Sequence, residues 1–225
     1  MNANLQNITQ LELQIQAALK RIYPRNPIVV KAVANPANAN DLKTLSIKIE
    51  NIREGLFSID IFTIIFQSPK IDYNALKKNS LRLISSSSYK ANVFLSPQAL
   101  ENYIRDKAKS LERKNVKVSV KLSSPFVEAT YDVPTSSISK ESQNVLAKFI
   151  TKSLNGYAAF TFNIRNNLLS AFSTKVILNH FLLPSQVLKY FTSKHNPFEE
   201  VPQIYPFSYR LSNVTVQKNY LHLSN

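Results

Sequence analysis

Twenty-eight Lys and Arg against fourteen Asp and Glu give this 225-residue chain a net charge of +14 and a pI near 9.9, which suits its surface to an anionic partner: nucleic acid, anionic lipid or an acidic protein. Apolar residues make up 44% of the chain and run along its whole length, which excludes a disordered polymer and fits one undivided strand-rich domain. Cysteine is absent, which excludes disulfides, Cys-ligated metal and thiol chemistry.

Residues 1–16 contain neither a basic leader nor an unbroken apolar run, so no signal peptide or spanning helix is read there. The expected location is cytoplasmic or at a membrane surface, or exported if a leader has been removed. Thr9 with Glu12 reads as a capping box and Ile8 with Leu13 as its hydrophobic staple, opening a helix over residues 10–22. Its stripe is Leu11, Ile15, Ala18, Leu19 and Ile22, and Pro24 and Pro27 stop it.

Strands follow at residues 28–33, 42–52 and 56–67. In the second, Leu45, Ile47 and Ile49 alternate with polar neighbours, as in a strand with one wet face. Residues 51–55 read as a hairpin turn around Gly55. The third strand is apolar on both faces, with Phe57, Ile59, Ile61 and Ile65 on one and Leu56, Phe62, Ile64 and Phe66 on the other. Such a strand needs cover on two sides, from the core and from a helix, a partner or an apolar ligand.

Short strands at 80–84 and 89–95 lead to a helix capped by Ser96 with Pro97 at its first position, and Leu100, Tyr103, Ile104, Ala108 and Leu111 form its stripe. Its outer face carries Arg105, Lys109 and Arg113, with Lys107 near the edge and Lys114 just beyond. Those cations suit ordinary solvation near a helix C-terminus or contact with anionic head groups. Strands at 116–122 and 126–133 precede a third helix with a buried arc of Val145, Leu146, Phe149, Ile150 and Leu154, ended by Asn155-Gly156. Strands at 157–164 and 173–178, a short helix at 185–193, and strands at 207–216 and 220–223 complete the pattern. No internal repeat is read.

The three histidines, His180, His195 and His222, have no metal-ligand spacing, and no nucleophile elbow, phosphate loop or dinucleotide fingerprint is present. Glu199-Glu200 is the only adjacent carboxylate pair and sits in a proline-flanked loop. The expectation is a protein that binds without catalysis and needs no metal or cofactor. Only eight of its cations are Arg, the residue favoured for guanine and phosphate forks, which tilts against base readout. A compositional bias towards Lys, Asn, Ser and Ile accounts for the charge equally well.

The closing stretch carries a resemblance. Leu182-Leu183-Pro184, Asn196-Pro197-Phe198, Pro206-Phe207-Ser208-Tyr209-Arg210-Leu211 and the pair of strands to Leu223 are similar to the ending of the LmeA-type bacterial phospholipid-binding family. The order of helix and three strands, then a strand and helix at 91–111, is similar as well. Family members carry Asn-Gly in the last turn, where this chain has Gln217-Lys218-Asn219, and residues 134–154 read as an insertion. The resemblance implies an α+β fold related to the tubular lipid-binding proteins, a long curved antiparallel sheet wrapped around a helix, with an acyl groove. On that fold the groove residues are Phe57, Ile59, Ile61, Tyr103, Ile104, Phe160 and Phe162, and the membrane contacts are Arg105, Lys109, Arg113 and Lys114. The implied partners are a phospholipid or other acyl-chain ligand and an anionic membrane surface. A nucleic-acid-binding module and an assembly scaffold are the alternatives.

Overall fold

A computed structural model of the chain describes residues 8–110, 116–134, 153–183 and 201–225. The expected helix 185–193 lies outside them, as do Arg113, Lys114, and Val145, Leu146, Phe149 and Ile150 of the expected third helix. The chain is mostly antiparallel sheet with few helices, an α+β arrangement in which neither sheet closes or curls strongly.

The first helix, α1 (Ile8–Ile22), buries Leu11, Ile15, Ala18 and Leu19, the predicted stripe without its last member, since Ile22 is partly exposed. The capping box does not form. Ile8 is already helical, Leu13 is exposed, and the Glu12 carboxylate turns to accept from the Ala32 N–H at 2.7 Å. Ala32 lies in β1 (Ile28–Asn35), which pairs with β2 (Asn38–Glu54). Gln16 Nε2 donates to the Ile28 carbonyl on the same strand. Helix α1 thus satisfies the outer ladder groups of β1 with its own side chains, protection that an edge strand otherwise lacks.

Strand β2 pairs with β3 (Phe57–Gln67) through a two-residue turn, Gly55-Leu56, shorter than the turn predicted at 51–55. Gly55 supplies φ +58°, while Asn51 takes the same left-handed conformation inside β2. Buried positions on β3 run Phe57, Ile59, then Phe62, Ile64, Phe66, so the covered face changes between Ile59 and Phe62. Each face is thus fully covered over only part of the strand, and Ile61 and Ile65 are half-buried.

The chain then leaves the sheet through β4 (Lys70–Ile71), the short helix α2 (Tyr73–Lys77) and β5 (Leu83–Ser85), and returns as β6 (Ser88–Leu95) beside β3. Asp72 caps α2, accepting from the Asn74 and Ala75 N–H groups. Ser96 caps α3 (Pro97–Ser110) as predicted, and the Asp60 carboxylate accepts from its N–H and hydroxyl.

The second sheet runs β7 (Lys117–Ser123), β8 (Phe126–Pro134), β9 (Ser153–Arg165), β10 (Leu168–Leu178) and β11 (Phe181–Leu182), each paired with the next. Leu154, Asn155 and Gly156 belong to β9, so the expected helix stop at Asn155-Gly156 is overturned. Gly156 faces Tyr131 across β8, and a Cβ there would overlap the tyrosine ring. Glycine is required by that ring and not by a helix end. The β9–β10 and β10–β11 turns are Asn166-Asn167 and Asn179-His180, all at positive φ, the geometry of two-residue hairpins usually given to glycine.

Two last strands, β12 (Asn213–Val216) and β13 (Leu221–Ser224), complete the first sheet in the order β1-β2-β3-β6-β13-β12. Residues 207–212, expected as strand, carry no regular structure, although Phe207, Tyr209 and Leu211 still alternate into the core. Phe62 and Phe66 pack on Phe207, and Phe62 also on Tyr209. Buried residues of both sheets form one contiguous cluster.

An internal repeat emerges that the sequence does not announce. Helix α1 and strands β1, β2, β3, β6 share their order and antiparallel pairing with α3 and β7, β8, β9, β10. Glu12 and Glu101 occupy the fifth position of their helices, and Glu101 accepts from the Val120 N–H of β7 at 2.8 Å as Glu12 does from Ala32.

Candidate functional site

Helix α3 follows β6 and packs on β3 and β7, so it touches both sheets. On the first sheet its Tyr103 ring stacks on Phe57, with ring centroids 4.4 Å apart. Phe57 and Tyr103 are predicted groove residues 46 positions apart in sequence, and both line one cavity of 280 Å³. The cavity's other walls are the β2–β3 turn (Glu54, Gly55, Leu56), Lys107 of α3, and Val201, Pro202 and Gln203.

Two buried tyrosines hold that last wall. Tyr209 donates its hydroxyl to the Pro202 carbonyl and Tyr23 donates to the Tyr205 carbonyl. Burial, with the Glu54 carboxylate nearby, pushes the Tyr23 hydroxyl up to about 12. Burial above all raises Tyr209 as well. Both hydroxyls therefore remain donors at any physiological pH. On the far side, Arg53 at the end of β2 pairs with Asp106 of α3 at 3.3 Å, bracing the hairpin tip against the helix. The site has apolar walls from Leu56, Phe57, Tyr103, Val201 and Pro202, and carries one carboxylate and one ammonium, Glu54 and Lys107.

The remaining predicted groove residues do not line this cavity. Ile59 is fully buried beneath α3's side of β3, whereas Ile61 is half-buried opposite Phe94. Ile104, Phe160 and Phe162 are half-buried against the common core. Phe160 and Phe162 stand on the face of β9 that also carries Ala158 and Ile164, beside Val127 of β8 and Ala171 of β10. Of the expected membrane contacts, Arg105 is half-buried on α3, and Lys109 has only its backbone described.

Sequence reasoning missed Leu56, Glu54, Val201 and Pro202. The apolar pattern sets Leu56 at the start of the strand 56–67 and not in the turn; Val201 and Pro202 gave no signal. His222 lies elsewhere, on the polar face of the first sheet, with Nε2 3.0 Å from Asn92 Oδ1, Nδ1 3.3 Å from Gln217 Nε2, and its ring stacked on Phe94. Among the described residues no cluster of His, Asp or Glu has the makings of a metal site, and no helix is long and apolar enough to cross a membrane. Compared with known protein families, with characterised proteins and with solved structures, the chain has no match.

Proposed function

We propose that the chain binds an acyl chain without catalysing a reaction on it, and that one segment of the chain enters the cavity between the β2–β3 turn, α3 and residues 201–203. The observation that carries this is the Phe57–Tyr103 stack, which brings two apolar residues from different elements to one open cavity. At 280 Å³ the cavity lies just under the range of about 300–1,000 Å³ typical of small-molecule pockets, so it suits part of one chain and not a whole diacyl lipid. Each methylene buried there contributes roughly 0.8 kcal/mol. In this reading the two sheets and α3 are the wall of a groove of the tubular lipid-binding kind. Lys107 stands where it meets an acidic head group at the mouth, and the wider Lys-rich surface meets anionic membrane.

The test is organic extraction of the purified protein followed by lipid mass spectrometry, on the native chain and on Leu56→Trp, which fills the cavity from the turn. Native protein is expected to carry acyl lipid, and the tryptophan variant to carry severalfold less while melting at a similar temperature. Equal lipid in both, or none in the native chain, overturns the proposal.

A further inference from the structure

The connection between β3 and β6 is the least economical part of the fold. In the second unit the corresponding strands, β9 and β10, are joined by two residues, Asn166-Asn167. In the first, twenty residues from 68 to 87 intervene, forming β4, α2 and β5. The unit closes without such an excursion, so its composition is free to serve something else. It holds Lys70, Lys77, Lys78 and Arg82 against a single carboxylate, Asp72, which is committed to capping α2.

The excursion is anchored and not loose. Ile71, Leu76 and Leu81 are buried, α2 packs on α1, and Arg21 Nη1 donates to the Lys78 carbonyl at 3.3 Å, which adds a fifth cation to the same corner. Lys70, Lys77, Lys78, Arg82 and Arg21 are all exposed, and no carboxylate among the described residues lies within salt-bridge distance of them. Alternation decides what else faces out. Ile71 and Leu81 are buried and Leu83 half-buried, while Lys70, Arg82 and Ile84 are exposed, and Ile84 lies between Leu83 and Ser85, the partners of Ile71 and Lys70 on the β4–β5 ladder. Ile84 is 66% exposed, an isoleucine displayed to solvent on the same short ladder that carries Lys70, two residues from Arg82.

We propose that this corner is the surface by which the protein docks on an anionic phospholipid bilayer, with Ile84 entering the boundary between head groups and acyl chains and the five cations engaging the head groups. Positive charge alone suits nucleic acid equally; an exposed aliphatic side chain on an excursion that also exposes four cations favours a lipid interface. The proposal takes its class of partner from the lipid reading above, but it rests on residues other than those lining the cavity, and replaces the outer face of α3 as the contact.

The measurement is co-sedimentation of the full chain with vesicles of phosphatidylcholine alone, or of phosphatidylcholine and phosphatidylglycerol in equal parts, over a range of salt. The native chain is expected on the mixed vesicles and to leave them as salt rises. Lys70→Gln with Arg82→Gln lowers partitioning by on the order of tenfold or more. Ile84→Ser lowers it severalfold with the salt dependence unchanged, because it removes no charge. Lys117→Gln with Lys121→Gln, exposed positions on the outer face of β7, removes the same charge elsewhere and is expected to leave partitioning within about twofold. Circular dichroism confirms that each variant is folded. A loss in the β7 control equal to that in the patch variants overturns the proposal in favour of net charge. Native chain that ignores mixed vesicles but binds a single-stranded oligonucleotide through the same cations overturns it in favour of nucleic acid. Leu56→Trp is expected to dock normally, so docking without lipid in the extract refutes the cavity reading alone, and lipid in the extract without docking refutes the surface alone.

Discussion

Replacing Glu101 by Ala removes the acceptor that α3 presents to β7 and leaves the backbone N–H of Val120, a residue only 6% exposed, without a partner. An unsatisfied buried donor costs about 1–3 kcal/mol, whereas Gln keeps an acceptor oxygen and loses only the charge-assisted part, about 1 kcal/mol. In a chain of this size each kcal/mol moves the melting temperature by about 2–4 °C, so Glu101→Ala is expected to melt several degrees lower and Glu101→Gln a few degrees at most. The amide of Val120 is expected to exchange with deuterium faster in the alanine variant than in the native chain. Glu12→Ala makes the same change at Ala32 of β1 and is expected to cost a similar amount. Function separates the two. Tyr103 lies two residues beyond Glu101 on the same helix and stacks on Phe57, so loosening α3 is expected to lower bound lipid, while loosening α1 is not. Should Glu101→Ala melt with the native chain and leave Val120 exchange unaltered, the edge-capping account is wrong; should both alanine variants lose lipid equally, the special position of α3 is wrong.

Gly156→Ala places a methyl group in the Tyr131 ring and is expected to destabilise strongly, whereas the same change combined with Tyr131→Ala is expected to cost much less than the sum of the two single changes in urea unfolding. His222 is held below its ordinary value of 6.5, by burial first and by Lys90 second, so the fold favours the neutral ring. Its contribution to stability is therefore present above about pH 6.5 and is lost as pH falls towards the depressed value, and melting curves from pH 8 to pH 5 are expected to show that loss in the native chain but not in His222→Gln.

Periodicity made the frame legible. The α1 stripe, the alternation of β2, the two-faced β3 and the Ser96-Pro97 start of α3 each follow from residues whose burial is decided locally. Where the reading departs, a tertiary partner outcompetes a local one. Glu12 fits a capping box by spacing, yet a bare strand edge offers its carboxylate a donor with no other partner, and the helix end yields it. Asn155-Gly156 carries a helix stop's chemistry, but the glycine answers to an aromatic ring across the sheet. The asparagine pairs at 166–167 and at the start of the 179–180 turn were readable as two-residue turns, because in a chain with two glycines asparagine is the next residue to tolerate positive φ.

The cavity was legible only on the walls contributed by regular elements. Phe57 and Tyr103 stand out as apolar positions on a strand and a helix stripe, but no periodicity places the turn residue Leu56 or the irregular segment at Val201 and Pro202 beside them. That juxtaposition is made by long-range contacts: Arg53 to Asp106 across the hairpin and helix, and the tyrosine hydroxyls of positions 23 and 209 to the carbonyls of 205 and 202. The repeat explains why α3 is the pivot. Each unit's helix guards the edge of its own first strand, and α3 also lies on the other unit, because it follows β6 directly and has β3 beside it. Helix α3 is tied to one sheet by Glu101 and to the other by Tyr103 and Asp106, and Tyr103 is part of the cavity wall. The exposed corner at Ile84 hangs from the opposite end of β3, through the residues that follow Gln67. The proposed docking corner and the cavity thus sit at the two ends of one strand.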